Sequence, residues 1–370
     1  MDANFSGIPE YTYNVLKEIF KLDKTNQYIL FYNSFGDFSR RIPKLEAANV
    51  KIVHTAYPNK IFNNILQRVL YWPKIDRLLD VDLFFAPNIA YIALSRLPRS
   101  ILTIHDLSFI RFSEFYSPKR QMWHRIMNIK KMVKRFDKIV AVSEHTKNDI
   151  IELCGIEAKR VEVIYSGVGT KYRPLAPGDK DCERVKKHYN LPLKFILCLS
   201  TIEPRKNING LIRAYGLMRQ EYPGLKDYKL ILAGVKGWRY VETIRAWHDS
   251  LYQEDIKFID YVRSGDKPAI YNLASLFVYP SLYEGFGFPP LEAMASATPV
   301  ISSTVSSLPE VAGNSALLIN PENAREIASA MATVLSDAKL QGEMINSGLK
   351  QSEKFSWEAS AKAYLNLFSC

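Results

Sequence analysis

The chain has 370 residues, which is too long for one compact domain and favours two. Because 47% of the residues are hydrophobic and 24% are charged, the composition is that of a globular protein and excludes general disorder. Neither a membrane span nor a signal peptide is predicted, since no apolar stretch is long enough and no basic N-terminus precedes an apolar run.

The net charge of +11 and the four cysteines restrict the partners and the compartment. Residues 1–174 carry 27 Lys and Arg against 17 Asp and Glu, whereas residues 175–370 carry 22 against 21. This asymmetry predicts an anionic surface or a polyanion as a partner of the first half. The cysteines form no CxxC pair and have no His at ligand spacing, so we expect no metal site and no disulfide scaffold, and a reducing cytoplasm fits. They are Cys154, Cys182, Cys198 and Cys370.

The first half alternates short apolar strands with helices, a pattern typical of a parallel sheet that is covered on both faces. Strands are predicted at 28–32, 50–54, 83–86, 101–104, 138–142 and 161–165, and helices include 12–20 and 146–153. The densest charge lies in the basic segment, residues 119–138, which has eight Lys and Arg and one acid, Asp137. Its apolar residues recur at helical spacing and predict one amphipathic helix; they are Met122, Ile126, Ile129, Val133 and Phe136.

The basic segment has two interpretations. It is either an ordinary surface helix that packs its apolar stripe on the core, or a helix whose basic face also contacts anionic lipid headgroups. Nucleic acid is not expected as a partner, because no binding motif accompanies the charge.

Residues 173–179, with two prolines and a glycine, predict a hinge, after which the alternation restarts. We expect an α/β protein of two doubly wound domains, 1–174 and 175–354, with helix 355–370 packed back on the first. Ligands of such sheets bind beyond the carboxyl ends of the strands, which predicts a site in a cleft between the domains. Strands are predicted at 195–199, 229–233, 256–259, 276–279 and 299–302, and helices at 208–221, 240–252, 289–295 and 324–335.

Two loops of the second half carry candidate site residues. Arg205 and Lys206 stand where a strand passes into a helix, and their charges add to the partial positive charge of the helix N-terminus, which predicts a diphosphate site. Glu284 lies in a glycine-rich turn, and Glu292 follows in the next helix with seven residues between them. Two carboxylates there suit hydrogen bonds from vicinal sugar hydroxyls. The turn does not extend to GxGxxG, so no nicotinamide site is expected.

The runs PSLYEGFGFPPLEAM, STIEPRKNINGLIRAY, ATPVISSTVSSLPEVAG and TIHDLSF resemble the retaining glycosyltransferases of family 4, in particular their mannosyltransferase-like members. The resemblance spans nearly the whole chain and implies the GT-B architecture of two Rossmann-like domains. It implies a nucleotide diphosphate sugar as donor, with no metal and no other cofactor. GDP-mannose is the first expectation for the donor, and UDP-sugars are the second.

The resemblance also implies residue roles. Glu284 matches the acid that holds hydroxyls of the donor sugar, Glu292 matches the acid that binds the ribose, and Arg205 with Lys206 matches the pair that grips the diphosphate. His105 matches a histidine that faces the transferred sugar from the first domain and positions it without acting as a general base. The other matches are Tyr261 and Val262 for the loop around the base, the backbone of Phe286 and Gly287 for the sugar or phosphate, and Gly7 for the turn over the phosphates.

Three departures from the family pattern stand out. Ser6 and Ala297 each occupy a position where a glycine is usual, and we expect a mild packing change at Ala297. Residues 1–4 match only the end of the family's first strand, so we expect a stub there, with either a gap in the sheet or residues upstream of Met1.

The resemblance implies transfer of a hexose with retention, in which the departing phosphate takes the acceptor proton. A saccharide or a lipid-linked saccharide in surface polysaccharide synthesis is the acceptor that fits the basic first half, and the same charge predicts a cytoplasmic protein bound peripherally to the inner face of the cytoplasmic membrane. A catalytically silent nucleotide-sugar-binding module is the alternative from another class. A phosphorylase-like enzyme is disfavoured because no lysine has a convincing pyridoxal context. The DxD pairs Asp80/Asp82 and Asp179/Asp181 are expected to be structural.

Overall fold

The computed structural model describes residues 7–35, 45, 47–95 and 99–369 of the chain. In that part, every ladder between named strands is parallel. The strands are β1 (Tyr28–Asn33), β2 (Val50–Thr55), β3 (Leu83–Ala86), β4 (Arg99–Ile104), β5 (Lys138–Ala141), β6 (Val161–Val163), β7 (Phe195–Leu199), β8 (Lys229–Ala233), β9 (Ile256–Ile259), β10 (Leu276–Tyr279), β11 (Val300–Ser303) and β12 (Leu317–Ile319).

The connections are mainly helical, as parallel pairing requires. A π-helix, Ile61–Leu70, precedes the second α-helix. The α-helices are α1 (Ile8–Leu22), α2 (Ile75–Leu79), α3 (Ser108–Arg111), α4 (Pro118–Met127), α5 (Ile129–Val133), α6 (Glu144–Cys154), α7 (Lys180–His188), α8 (Ile208–Glu221), α9 (Val241–His248), α10 (Lys267–Leu273), α11 (Phe288–Ala295), α12 (Leu308–Ala312), α13 (Ala324–Ser336), α14 (Ala338–Ser352) and α15 (Trp357–Ser369).

The chain forms two compact units. Unit 1 comprises Met1–Leu107, Trp123–Gly167 and Ser356–Cys370, and unit 2 comprises Ser108–Met122 and Val168–Phe355. The boundary therefore falls after Gly167 rather than after residue 174. Residues 168–174 belong to unit 2 because the Val168 amide donates to the Phe355 carbonyl (3.0 Å) and Tyr172 is buried in the unit 2 core.

Two further segments differ from the expected division. The predicted hinge, 173–179, lies inside unit 2, where the Asn272 side chain donates to the Arg173 carbonyl (3.0 Å) and accepts from the Leu175 amide (2.8 Å). Residues 108–122 also belong to unit 2, because Trp238 Nε1 donates to the Phe115 carbonyl (2.5 Å). Neither placement is visible in local composition, since both depend on contacts between residues far apart in sequence.

Unit 1 contains two sheets in its described part, one of β1 and β2 and one in the order β3-β4-β5-β6. Helix α15 packs on α1 and β4, where the Tyr364 hydroxyl lies 2.6 Å from the Tyr11 hydroxyl and 2.7 Å from Thr103 Oγ1. The C-terminal helix thus belongs to the unit of the first half. The predicted stub at residues 1–4 and the departure at Ser6 lie outside the described residues.

The basic segment does not form the single helix that its periodicity predicts. It forms the two helices α4 and α5, because Asn128 between them adopts a left-handed backbone (φ 43°) and caps α5 by accepting from the Lys131 amide. The apolar stripe is divided accordingly. Ile129, Val133 and Phe136 are buried, whereas Met122 and Ile126 on α4 are exposed.

Unit 2 contains a sheet in the order β12-β11-β10-β7-β8-β9, in which β12 was not predicted from the sequence. Side chains of β7 alternate between two buried clusters, with Ile196 and Cys198 in one and Phe195, Leu197 and Leu199 in the other. Both faces of the sheet are therefore covered, as the apolar strands predict. Because β10 and β7 are parallel neighbours, the loops that follow them meet at one edge.

Ala297, between α11 and β11, differs from the expectation in its backbone conformation and not in its packing. Its φ is +59°, in the left-handed region that glycine adopts without cost. Placing an alanine there instead of the usual glycine therefore costs about 1–2 kcal/mol of backbone strain. The effect is not the packing change that we expected from the family resemblance.

Candidate active site

The loops after β7 and β10 lie side by side and are joined by hydrogen bonds. The Leu282 amide donates to the Arg205 carbonyl at 2.8 Å, and the Arg205 guanidinium donates to the Tyr283 carbonyl at 2.9 Å. Arg205 and Lys206 lie in a tight 3₁₀ turn, Pro204–Lys206, immediately before α8. The cations therefore stand at a helix N-terminus, as predicted, and face the glycine-rich turn.

Glu284 is the centre of the site and is buried. Its Oε1 accepts hydrogen bonds from Lys206 Nζ, from the Tyr279 hydroxyl (2.9 Å) and from Ser281 Oγ (2.7 Å). Its Oε2 lies 3.1 Å from Arg205 Nη1. Three of the residues predicted for catalysis are thus brought into direct contact.

The electrostatics of this cluster follow from its burial. Burial alone would raise the pKa of Glu284, but the charges of Arg205 and Lys206 override it and lower that pKa to about 2. Burial and the neighbouring Arg205 lower the pKa of Lys206, and Glu284 opposes that shift. A second carboxylate, Glu203, lies 3.0 Å from Arg205 Nη2, so two cations are balanced by two acids.

The turn that carries Glu284 is held by two serines that the sequence comparison did not single out. Ser306 Oγ accepts from the Glu284 amide (2.9 Å), and Ser307 Oγ donates to the carbonyl of Phe286 (2.7 Å). Gly287 has φ +115°, and a Cβ there would lie 2.8 Å from Leu308 Cδ2. The SSLP run therefore shapes this turn, and a glycine is required at its end.

Glu292 lies in the first turns of α11 and is buried rather than exposed on the helix surface. It accepts a hydrogen bond from the Tyr271 hydroxyl at 2.8 Å. The Tyr271 ring contacts the Phe277 ring (centroids 5.4 Å apart), which stacks on the Tyr279 ring (5.8 Å). Glu292 is therefore linked to the cluster of Glu284 through a row of aromatic rings and does not share its hydrogen bonds.

The remaining predicted residues are divided between the two units. Val262 is buried in the core of unit 2 after β9, with Tyr261 half-buried beside it, and Phe286 packs on Phe355. His105 and Gly7 belong to unit 1.

His105 follows β4, and its ring has partners within unit 1. Nε2 lies 2.9 Å from the Pro87 carbonyl, and the ring meets Tyr11 edge-on with centroids 4.6 Å apart. Burial lowers the pKa of His105, so the imidazole is neutral near pH 7. Gly7 caps α1 with φ +63°, a conformation that favours glycine.

One contact of the site came from a part of the sequence that no motif indicated. The ring of Phe112 meets the ring of Tyr283 edge-on, with centroids 5.4 Å apart. Because Tyr283 precedes Glu284 and its carbonyl accepts from Arg205, Phe112 supports the turn that carries the cluster. An aromatic residue after the TIHDLSF run was the only available signal.

Three aspartates of the two DxD pairs have local roles. The Asp179 carboxylate caps α7 by accepting from the Asp181 amide (2.8 Å), Asp181 pairs with Arg184 (2.8 Å), and Asp80 ends α2 in a left-handed conformation. Within the described ranges, no three or more His, Cys, Asp or Glu side chains are grouped to hold a metal ion. None of the helices in the described part is long and apolar enough to span a bilayer.

Comparison with known proteins identifies two matching families. Residues 6–172 match the family described as Glycosyltransferase Family 4, and residues 179–351 match Glycosyl transferases group 1. The O-antigen chain mannosyltransferase B of Escherichia coli is 34% identical over 74% of this chain and 71% of its own length. The serotype-specific mannosyltransferase WbdA of Escherichia coli is also 34% identical, over 73% of this chain, which spans about a third of that relative.

Solved structures share the fold. HepE of Anabaena, in complex with UDP and glucose, has a TM-score of 0.74 at 16% identity and covers 100% of this chain and 97% of its own. A glycosyltransferase from Rickettsia africae has a TM-score of 0.73 at 18% identity and covers 98% of this chain and 95% of its own. The GT-B class with two Rossmann-like domains built on parallel sheets, predicted from the sequence, is confirmed.

Proposed function

Since the chain belongs to glycosyltransferase family 4, we propose that it transfers mannose from a nucleotide diphosphate sugar to a saccharide or lipid-linked saccharide, with retention, in surface polysaccharide synthesis. The observation that carries the proposal is the contact of Arg205 and Lys206 with Glu284 in one buried cluster. Cations for a diphosphate and a carboxylate for sugar hydroxyls are thereby adjacent, as an activated monosaccharide requires.

The cluster supplies the charge stabilisation that the reaction needs. The bond between the anomeric carbon and the diphosphate oxygen breaks, and a bond from that carbon to the acceptor oxygen forms on the same face. The departing phosphate takes the acceptor proton, so no side-chain base is required. Arg205, Lys206 and the N-terminus of α8 stabilise the negative charge of the leaving group in a buried setting, where such interactions are strongest.

On this proposal, donor binding changes the hydrogen-bond partners of Glu284, Lys206 and Arg205. The diphosphate competes with Glu284 for Lys206 and Arg205, and Glu284 then turns its acceptors to the hydroxyls of the sugar. The row of aromatic rings Tyr271, Phe277 and Tyr279, between Glu284 and Glu292, spans the distance from the sugar to the ribose. His105, neutral at pH 7, positions the transferred sugar.

GDP-mannose is the proposed donor, with UDP-sugars as the second choice. Two relatives are named as mannosyltransferases, which supports mannose, whereas HepE was solved with UDP and glucose. A thermal-shift screen across nucleotide sugars tests the donor, because a ligand that binds only the folded state raises the melting temperature. We expect the largest rise with GDP-mannose; a larger rise with a UDP-sugar would overturn the choice of base.

The proposed reaction needs no divalent metal, because the positive charges of Arg205 and Lys206 serve the diphosphate. Activity in excess EDTA checks this, and its loss on chelation with recovery on adding Mg²⁺ or Mn²⁺ would contradict it. The alternative of a silent binding module predicts a donor-induced thermal shift without release of nucleotide diphosphate from any donor and acceptor pair.

We also propose that the protein works in the cytoplasm, bound peripherally to the inner face of the membrane through the basic segment. The support is the charge of that segment, whose only acid is Asp137. Lys130, Lys131 and Lys134 are exposed there, and each cation near an anionic bilayer contributes about 1 kcal/mol. Replacing these three lysines by glutamine should weaken sedimentation with anionic vesicles at low salt, and unchanged sedimentation would refute the contact.

A further inference from the structure

The π-helix Ile61–Leu70 of unit 1 departs from the polarity of an ordinary surface helix at two positions, Gln67 and Val69. Gln67 points inward and is only 1% exposed; its Oε1 accepts from the Ala93 amide (2.7 Å) and its Nε2 donates to the Pro73 carbonyl (3.1 Å). Val69 is 71% exposed. A surface helix normally turns its apolar side chains to the core and its polar ones to water.

The outer face of this helix carries a row of apolar side chains beside the exposed Asn63 and Asn64, and the row extends beyond the end of the helix. Phe62 fills the core on the inner side, where it packs with Ile75 and Leu79. The exposed apolar residues are Ile61, Ile65 and Val69, each four residues apart, followed by Leu70 and Trp72. Because the inner side already has its core, these side chains form a surface patch, and such patches mark interaction sites.

The patch continues onto the end of α4 that belongs to unit 1, from Trp123 onwards. The Arg68 guanidinium donates to the Ile126 carbonyl at 2.7 Å, and the Tyr91 hydroxyl lies 3.3 Å from the same oxygen. Ile126 and Trp123 are both exposed on that helix. The outer face of the π-helix and the end of α4 therefore form one surface, which we call the apolar patch.

The two sequence segments that form the apolar patch are basic. Neither residues 57–74 nor residues 119–136 contain an Asp or Glu. Cations lie against its base, where Lys74 Nζ and the Arg135 guanidinium lie 3.4 and 4.5 Å from the centroid of the Tyr71 ring. A second copy that presented the same face would bring cations together, whereas an anionic lipid surface is complementary to it in both charge and polarity.

We propose that the apolar patch inserts into the boundary between headgroups and acyl chains of an anionic bilayer. The inference rests on the proposed membrane contact of the basic segment and adds a second component to it. The basic segment supplies an attraction that salt screens, and the apolar patch supplies burial of apolar area that salt does not weaken.

The test measures binding of the whole chain to vesicles of phosphatidylcholine and phosphatidylglycerol at low salt and at about 1 M salt, where the Debye length is about 3 Å. The test variant is Ile65→Asn with Val69→Asn. Its control is Leu251→Asn, because Leu251 is an apolar residue of unit 2 that is 96% exposed. We expect the test variant to lower the partition coefficient by about tenfold or more at both salt concentrations, and the control to leave it unchanged.

A second readout follows the insertion directly. Trp72 is 59% exposed in the apolar patch, so lipids brominated on their acyl chains should quench its emission when the protein binds. The quenching should decrease in Trp72→Phe. An unchanged melting temperature of each variant shows that the fold is intact.

The outcomes separate insertion from the charge contact. If the asparagine variant binds like the control and Trp72 is not quenched, insertion is refuted, while the lysine-to-glutamine variant still decides the contact of the basic segment. Insertion is also refuted if light scattering shows that the chain self-associates and that the asparagine substitutions abolish this association. Donor-induced thermal shifts are independent of both results and test the transferase proposal.

Discussion

Cations are placed differently in the two units. In unit 2, Arg205 and Lys206 are largely buried and each contacts a carboxylate within 3.1 Å. In unit 1, the part of the basic segment from residue 123 to residue 138 presents the exposed Lys130, Lys131 and Lys134 and has a single acid, Asp137. A buried cation requires partners to offset its desolvation, so its position is fixed by the fold, whereas an exposed one is solvated wherever it lies. The first arrangement suits a ligand of defined geometry, and the second suits an extended anionic surface.

The largest effect should come from removing the buried ammonium. Lys206→Ala is expected to lower kcat by about a hundredfold to a thousandfold, the usual cost of losing one preorganised donor to a developing negative charge. Steady-state turnover of the donor measures it. Lys187→Ala, at an exposed lysine of α7, is the control and should retain full activity. A loss of less than about tenfold in Lys206→Ala would argue against a transition-state role.

The second prediction concerns the pH dependence of stability. Because the pKa of Glu284 is about 2 in the folded protein and 4.5 without these partners, its carboxylate stabilises the fold above about pH 4.5. That stabilisation is lost as the pH falls towards 2. Glu284→Gln should therefore unfold at lower urea concentration than the wild type at pH 7, and the difference should narrow with acidification. A gap that stays constant between pH 7 and pH 3 would show that the charge is not the cause.

A smaller effect is expected at the aromatic support of the cluster. Phe112→Ala removes the edge-on contact with Tyr283, a kind of contact that contributes about 0.5–1.5 kcal/mol. We expect a decrease in kcat of up to about tenfold with little change in the melting temperature. Phe112→Tyr keeps the ring and should restore activity. Equal kcat values for the alanine and tyrosine variants would rule out positioning through this ring.

The smallest effect is expected from replacing the exposed lysines of unit 1, which tests the other half of the comparison. Replacing Lys130, Lys131 and Lys134 together by glutamine should change the free energy of unfolding by less than about 0.5 kcal/mol per residue, since exposed substitutions away from special features have small effects. Urea denaturation measures this. A destabilisation of several kcal/mol would mean that these cations have structural partners, and the comparison between the two units would fail.

Local patterns sufficed for much of unit 2. The bounds of β7, β8, β9 and β10 agree with the predicted strands to the residue, because each is a short apolar run between polar turns. The prediction of a single helix over residues 119–138 was wrong because it, too, used only a local pattern. Helical periodicity continues through Asn128, but a left-handed backbone at one residue is enough to end a helix.

The sequence by itself determined the alternating α/β order, the family and the residue types that gather at the edge of β7 and β10. These depend on apolar runs and short motifs, which act between near neighbours in the chain. Only the tertiary structure decided that Tyr279 and Ser281 complete the bonding of Glu284, that 108–122 packs with unit 2 and that Gln67 rather than Val69 faces the core. Each of these depends on which distant backbone groups and side chains meet, and no local pattern records that.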